Sequence, residues 1–350
     1  MDLEDDAEDA ARHDLAGAGR GAPAARVARV PGDRRVSGAP WYLDCDTGID
    51  DALTLGLLVA QGADLKGIGS VSGNLSAAGG ARNTLDLLAL MGRPDVPVAV
   101  GAHDPIDGLF AGGADFVHGA NGIGGVELPH VGEPVAESAA EMLVRLAHAH
   151  PGALRVLAVG PLTNLALALR LEPALPSLVA DVVVMGGAAR VPGNVTAVAE
   201  ANIINDPVAA QAVFDAAWPV TMVGLDVTME ARFEDNHRSD LASGGASARA
   251  LAAMLGVYFD YYAPIFGRPS CALHDPLAAA IALGLVTPTL APVVPIEVDA
   301  TDGPGRGQTL VDLRSRFIGY PPQPGTRHRV VLDLPEGFGD VLAEELLRLP

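Results

Sequence analysis

Cysteine is nearly absent from this chain: Cys45 and Cys271 are the only two among 350 residues. Two cannot form a disulfide framework or a cysteine-rich zinc site. Aromatic residues are also scarce, at 4%, so a core drawn from the 49% hydrophobic residues must be filled mainly by Ala, Leu and Val. Basic residues are in deficit: 23 Lys and Arg against 43 Asp and Glu leave a net charge of −20. A chain without a basic face has nothing to hold phosphates, which argues against nucleic acid as a partner. Long apolar runs are missing too. The best membrane candidate, residues 276–298, is interrupted by Pro288, Pro292 and Pro295. The first nine residues are acidic where a secretory signal would be basic and then apolar. The expectation is a soluble, cytoplasmic protein with no membrane partner. The glycines at 122–125 form no P-loop, since no Gly-Lys-Ser/Thr follows, and they do not sit at the strand–helix turn of a dinucleotide fingerprint.

What is present is an alternation of strand and helix patterns. Residues 1–38 lack periodic apolar positions and read as a disordered extension, leaving 39–350 as a single catalytic domain. Strands are predicted at 41–45, 65–71, 97–100, 154–159, 181–185 and 220–223, with late ones at 293–298, 309–312 and 329–333. Helices are predicted at 50–61, 76–91, 136–150, 207–216, 276–284 and 338–349, with another ending at Leu171. Residues 101–132 read as a long glycine-rich loop and 228–268 as mostly helical. Such alternation predicts an α/β fold with an open, mostly parallel sheet covered by helices on both faces. Ligands in such sheets bind outside the carboxyl ends of the strands.

The densest chemistry lies at the first such end. YLDCDTGIDDA (residues 42–52) holds Asp44, Asp46, Asp50 and Asp51 where a buried strand turns into a helix. Carboxylates gathered there repel one another unless a cation or a polyol holds them. Cys45 alternates with Asp44 and Asp46, which turns it towards the core. Hard oxygen ligands suit Ca²⁺ or Mg²⁺. Helix capping explains Asp50 or Asp51 singly, not four acids together. His274-Asp275 precedes an apolar helix, where Asp275 reads either as an N-cap or as a distant ligand completing the metal site. Asn194, Glu200 and Asn202 follow a buried strand and offer amides and a carboxylate suited to ribose; Asp206, before Pro207, reads as an N-cap. Asn74 ends VSGN and reads as a turn residue or a site residue, and His118 lies in the glycine-rich loop.

These segments, in this order, resemble the inosine–uridine-preferring nucleoside hydrolases from about residue 40 to 348. DCDTGIDDA is similar to the family's N-terminal signature, and VSGN, AVGPLTNLA, VVMGG, AEANIINDP, MVGLDVT and LHDP resemble further blocks. The resemblance implies a Rossmann-like nucleoside hydrolase fold, Ca²⁺ as cofactor, and hydrolysis of the N-glycosidic bond of a ribonucleoside to ribose and free base. It implies a homodimer or homotetramer acting in nucleoside catabolism and base salvage. By position, Asp46 would be general base, activating a water held by the ion, and a calcium ligand. Asp51, Asp275 and the Val159 carbonyl would be further ligands. Asp50, Asn194, Glu200 and Asn202 would bind ribose hydroxyls. Asn74 would sit beside the reacting sugar and His274 near the leaving base as its acid. His118, Tyr262 and Phe266 would line the base pocket, the last two in YFDYYAPIF. Two departures stand out: Thr47 where proline is common, and Ala201 where an aromatic is common.

Two other readings fit part of the pattern. A catalytically silent ribose- or nucleoside-binding protein would keep the same ligands. A phosphohydrolase of the haloacid dehalogenase type also spaces two aspartates as Asp44 and Asp46 are spaced, but the Thr47–Asp51 run that follows fits it poorly.

Overall fold

The computed structural model describes residues 38–350. The expected disordered extension, Gly38 apart, lies outside the described residues. In chain order the first half comprises β1 (Pro40–Cys45), α1 (Ile49–Ala60), β2 (Asp64–Ser70), α2 (Ala77–Leu90), β3 (Val98–Val100), α3 (Asp115–His118), α4 (Ala139–Ala149), β4 (Leu154–Ala158), α5 (Thr163–Leu171), α6 (Leu175–Leu178) and β5 (Val179–Met185). The second half comprises α7 (Ala201–Asn205), α8 (Pro207–Asp215), β6 (Val220–Val223), α9 (Leu225–Thr228), β7 (Arg232–Glu234), α10 (Asp235–Ala242), α11 (Ala246–Phe266), β8 (Ser270–Ala272), α12 (His274–Ala282), β9 (Ile296–Val298), β10 (Thr309–Val311), β11 (Arg329–Val331) and α13 (Phe338–Leu346).

Seven strands form one sheet in the order β11-β6-β5-β4-β1-β2-β3, and every neighbouring pair is parallel. β1 lies in the interior of that sheet, and all six of its residues are buried. Its pleat sends alternate side chains to opposite layers. Trp41, Leu43 and Cys45 join one apolar cluster with α1, α2, α11, α12 and α13; Tyr42 joins the other with α4, α5 and α8. The strands therefore carry few polar positions between their ends, and polar side chains collect where the strands stop.

The region 228–268 is mostly helical, through α10 and α11, with β7 ahead of them pairing antiparallel with β8. The glycine-rich loop at 101–132 contains a short helix, α3, and is pinned rather than free. Asn83 Nδ2 donates to the carbonyls of Thr47 and Asn121 at 3.2 and 2.9 Å, and Asn121 Oδ1 accepts from Ile123 and Gly125 N–H. Among the described residues no helix is long and apolar enough to cross a membrane.

Asp44 also departs from expectation. It faces the second layer with Tyr42, away from the other three acids. Tyr42 OH donates to its Oδ2 at 2.7 Å, and Asn164 Nδ2 reaches both oxygens at 3.3 and 3.1 Å. Burial pushes its carboxyl up to about 7, against the lowering effect of these two donors. Asp44 thus ties β1 to the start of α5. Asp44→Ala leaves an Asn164 amide hydrogen short of an acceptor, whereas Tyr42 keeps the Ala139 carbonyl at 3.1 Å. The expected loss is about 1–3 kcal/mol, read as a lower urea midpoint with an unchanged slope; an equal or higher midpoint would contradict this role.

Candidate active site

The carboxyl ends of β1, β2, β4 and β5 open on a cavity of about 300 Å³. Its floor is Val159 and Met185, following β4 and ending β5. One wall carries Asp50, Asn74, Asp275 and His274; another carries His118, Tyr258, Tyr261 and Tyr262; a third carries Asn194, Glu200, Ala201 and Asn202. The fold thereby unites residues that sequence spacing keeps far apart. Phe266 does not line the cavity. It stands behind Tyr262, the two rings stacked at 5.4 Å and 9°.

Asp50, Asp51 and Asp275 each offer an oxygen, and these oxygens lie within 4.8 Å of one another. The N-termini of α1 and α12 supply them, where helix dipoles favour negative charge. Asp46 stands behind Asn74, whose backbone N–H donates to Asp46 Oδ2 at 2.7 Å. Gly73 is obligatory at this approach, because a Cβ there would collide with the same oxygen. Asp51 braces the loop: its Oδ1 accepts from Asp46 N–H at 3.2 Å and its Oδ2 from Gly48 N–H at 2.8 Å and Asn74 Nδ2 at 3.3 Å. Asp51 is therefore both a capping residue and a member of the acid cluster.

The electrostatics of this cluster are unfavourable as it stands. Burial, followed by the charge of Asp51, pushes Asp46 upward, and burial followed by Asp50 pushes Asp51 up to about 7. Asp275 rises through burial and then through Asp50, Asp51 and Asp46. Two buried oxygens, Asp46 Oδ1 and Asp50 Oδ1, have no hydrogen-bond partner. An all-oxygen donor set with unpartnered buried carboxylate atoms fits a hard divalent cation: Ca–O bonds of about 2.3–2.6 Å place opposite ligands roughly 5 Å apart.

The other predicted residues fall on this frame. The Val159 carbonyl accepts from Asn202 Nδ2 at 2.9 Å and keeps a second lone pair. Glu200 caps α7, its carboxylate accepting from Asn202, Gly187 and Ile203 N–H at 2.9, 2.9 and 3.2 Å, while burial pushes it up to about 7. Asn194 Oδ1 accepts from Ala201 N–H at 3.0 Å. His118 Nδ1 accepts from Ile49 N–H at 3.1 Å, so the neutral ring carries its hydrogen on Nε2. His274 is engaged at both nitrogens, with Tyr262 OH at 2.7 Å and Thr228 Oγ1 at 2.8 Å. Burial lowers both imidazoles below their ordinary range, against the opposing charge of Asp50.

Tyr258 and Thr228 were not singled out by the sequence. Tyr258 OH donates to Asp50 Oδ2 at 3.1 Å, and its ring stacks on His118 at 5.4 Å. The available signal was helical spacing: Tyr258 precedes Tyr262 by four residues and shares its face of α11.

A profile described as inosine-uridine preferring nucleoside hydrolase matches residues 41–336. Uridine nucleosidase 1 of Arabidopsis thaliana is 37% identical over 80% of this chain and 86% of its own length. The pyrimidine-specific ribonucleoside hydrolase RihA of Citrobacter koseri is 36% identical over 88% of this chain and 97% of its own. Among solved structures, a purine-preferring ribonucleoside hydrolase from Gardnerella vaginalis superposes with a TM-score of 0.78 at 31% identity, covering 88% of this chain and 97% of that one.

Raised carboxyls favour the metal-free fold most when protonated, and that contribution fades as pH rises from the ordinary carboxylate range through about 7. Ca²⁺ should therefore raise Tm most at neutral pH and above, with an apparent affinity that weakens as protons compete below about pH 7. Thermal melts with and without Ca²⁺ between about pH 5.5 and 8 read this directly. A Tm indifferent to Ca²⁺ throughout would contradict the fit.

Proposed function

The chain belongs to the inosine–uridine preferring nucleoside hydrolase family, and from that premise we propose a Ca²⁺-dependent reaction in which Asp46 activates the attacking water. It is an N-ribosyl hydrolase, cleaving the N-glycosidic bond of ribonucleosides. The observation that carries the metal-dependent reading is the buried cluster of Asp50, Asp51 and Asp275 at the cavity, with Asp50 Oδ1 and the neighbouring Asp46 Oδ1 unpartnered.

Asp46, Asp51, Asp275 and the Val159 carbonyl would hold the ion, with Asp50 beside them. When bound, Ca²⁺ supplies a positive centre that orients ribose hydroxyls and acidifies water. Asp50, Asn194, Glu200 and Asn202 hold the sugar. Asp46 takes the water proton at its free Oδ1, while Asn74 N–H fixes Oδ2. The water attacks the anomeric carbon opposite the base, so the configuration there inverts. The surrounding carboxylates stabilise the positive charge that develops on the sugar. On the leaving side, His118 donates from Nε2, and the Tyr262–His274 pair delivers the proton that the base nitrogen needs; Phe266 supports Tyr262 from behind.

We assign pyrimidine ribonucleosides as preferred substrates, supported by the uridine nucleosidase and pyrimidine-specific hydrolase names among the relatives. A single catalytic unit over residues 39–350, in the cytoplasm, as a homodimer or homotetramer, completes the reading; the two buried free cysteines accord with a reducing compartment.

A reducing-sugar assay on uridine, cytidine, inosine and adenosine, with and without chelator, tests this. Ribose release from the pyrimidines, abolished by chelator and restored by Ca²⁺, is expected. Asp46→Asn should lower kcat about 10²–10⁴-fold with Tm nearly unchanged. Chelator-resistant release, or near-normal turnover of this variant, would refute the assignment.

His274 generates a separate expectation. Removing an acid costs most when the leaving group is poor. His274→Ala should lower uridine turnover about 100-fold or more but 4-nitrophenyl riboside turnover less than about tenfold. Equal losses on the two substrates would remove His274 from proton delivery.

A further inference from the structure

A second cleft, of about 710 Å³, lies outside the active-site cavity and shares no lining residue with it. Arg232 of β7 lines this cleft together with Glu230, Glu234 and Arg268. Glu234 Oε1 accepts from Arg268 Nη2 at 2.6 Å, whereas the buried Nε of Arg232 has no hydrogen-bond partner. The Arg232 guanidinium packs on a ring instead, its Cζ standing 4.4 Å from the centroid of Phe266. Phe266 lines neither the cavity nor the cleft. It stacks on Tyr262 at 5.4 Å and 9°, and Tyr262 OH meets His274 Nε2 at 2.7 Å. Contacts therefore run unbroken from Arg232 to His274.

The same stretch of chain holds the other nitrogen of His274. Thr228 lies four residues before Arg232 and meets His274 Nδ1 through its Oγ1 at 2.8 Å. β7 then pairs with β8 and sets Arg232 opposite Ala272, two residues before His274. Residues 228–232 thus brace the Tyr262–His274 pair from both ends. The rings need bracing, because Phe266 is the last residue of α11, where helices fray, and Pro264 withholds a backbone N–H from its last turn. An apolar side chain at 232 would pack on Phe266 too, at a lower cost of desolvation. A guanidinium adds what an apolar chain lacks, a planar and weakly hydrated cation that the face of the ring attracts. Burial, followed by the charge of Asp50, pushes the Tyr262 phenol well above its ordinary value, so the hydroxyl keeps its hydrogen and its placement is what matters.

Resting on the ribonucleoside hydrolase reading, we propose that Arg232 is a positioning residue for the leaving side of the reaction: it anchors Phe266, Phe266 sets the Tyr262 ring, and the Tyr262–His274 contact that serves the departing base is held in place. The guanidinium touches neither substrate nor reacting atoms. The reaction is unchanged: a water oxygen bonds to C1′ and gives its proton to Asp46, the C–N bond breaks, and its electron pair leaves on the base, which takes up a proton from the Tyr262–His274 pair. Loosening the ring column disturbs only that last transfer, which matters only for a leaving group that needs the proton.

The experiment measures kcat on uridine, inosine and 4-nitrophenyl riboside in the wild type, Arg232→Met, Tyr262→Phe and the double variant, with Tm for each. Arg232→Met keeps an unbranched stem for Phe266 and removes the cation. Its kcat should fall at least about tenfold on the nucleosides and less than about threefold on 4-nitrophenyl riboside. In the Tyr262→Phe background the same substitution should cost the nucleosides less than about twofold more, because the hydroxyl that it places is already gone. Arg232→Gln carries the same comparison if Arg232→Met fails to fold. Equal losses on nucleosides and 4-nitrophenyl riboside, no loss on any substrate, or an undiminished loss in the Tyr262→Phe background overturns the proposal and leaves the hydrolase reading standing. A wild type that cleaves neither uridine nor inosine removes the hydrolase reading itself, and this proposal with it.

Discussion

Asp50, Asp51 and Asp275 are buried around one point with Asp46 beside Asp51, and no Lys or Arg lines the cavity to neutralise their charge. Burial of even one unpaired ionised carboxylate is costly, and each neighbour adds repulsion. Backbone N–H groups offset part of this: Asp51 accepts from Asp46 and Gly48, and Asp46 accepts from Asn74. They leave Asp46 Oδ1 and Asp50 Oδ1 unsatisfied. The carboxyls can then either hold protons or share a cation. A scaffold gains nothing from such an arrangement, since apolar residues of similar volume would stabilise the same space.

The parallel sheet explains why this cluster can exist at all. Strand interiors of a doubly covered sheet admit almost no polar atoms, so the polar groups are displaced to the strand ends, where helix N-termini also point. Asp44 shows the limit of the rule. It lies only two residues before Asp46, yet it is still inside β1, where Tyr42 and Asn164 hold it, whereas Asp46 lies past the end of the strand. Counting acids along the chain groups all four early aspartates; the end of the strand at Cys45 separates one of them.

Much of the fold was legible because alternation of apolar strands with helices is a strong local signal. The first acids were legible because they crowd into one turn. Asp275 was not readable from spacing alone, since nothing local distinguishes a helix-start aspartate from a ligand; the family resemblance placed it. Tyr258 opens the YFDYYAPIF stretch, but nothing local separates its pattern from ordinary helix packing, and Phe266, on the same face, only packs. Thr47 is a different case. The family resemblance implies a proline where Thr47 stands, and the structure shows hydrogen bonds in its place. Thr84 Oγ1 donates to the Gly80 carbonyl at 2.8 Å, so the 2.7 Å contact with Thr47 must be donated by Thr47. Thr47 Oγ1 is then free to accept from Cys45 Sγ at 3.3 Å. A side-chain ladder to α2 fixes the turn that a pyrrolidine ring would otherwise stiffen.

The two histidines carry the argument to the other half of the cavity. Acids nearby should raise an imidazole, yet burial outweighs them and lowers both His118 and His274. Each is therefore neutral in the working range, and a neutral imidazole has one hydrogen to place. The Ile49 N–H at the start of α1 places that of His118 on Nε2. Thr228 and Tyr262 bracket His274, so neither of its nitrogens acts without moving a partner's proton. Helix α1 consequently serves both halves of the cavity. Its first turn supplies Asp50 and Asp51 to the cation-ready side, and its first N–H orients the donor on the side that the base would occupy.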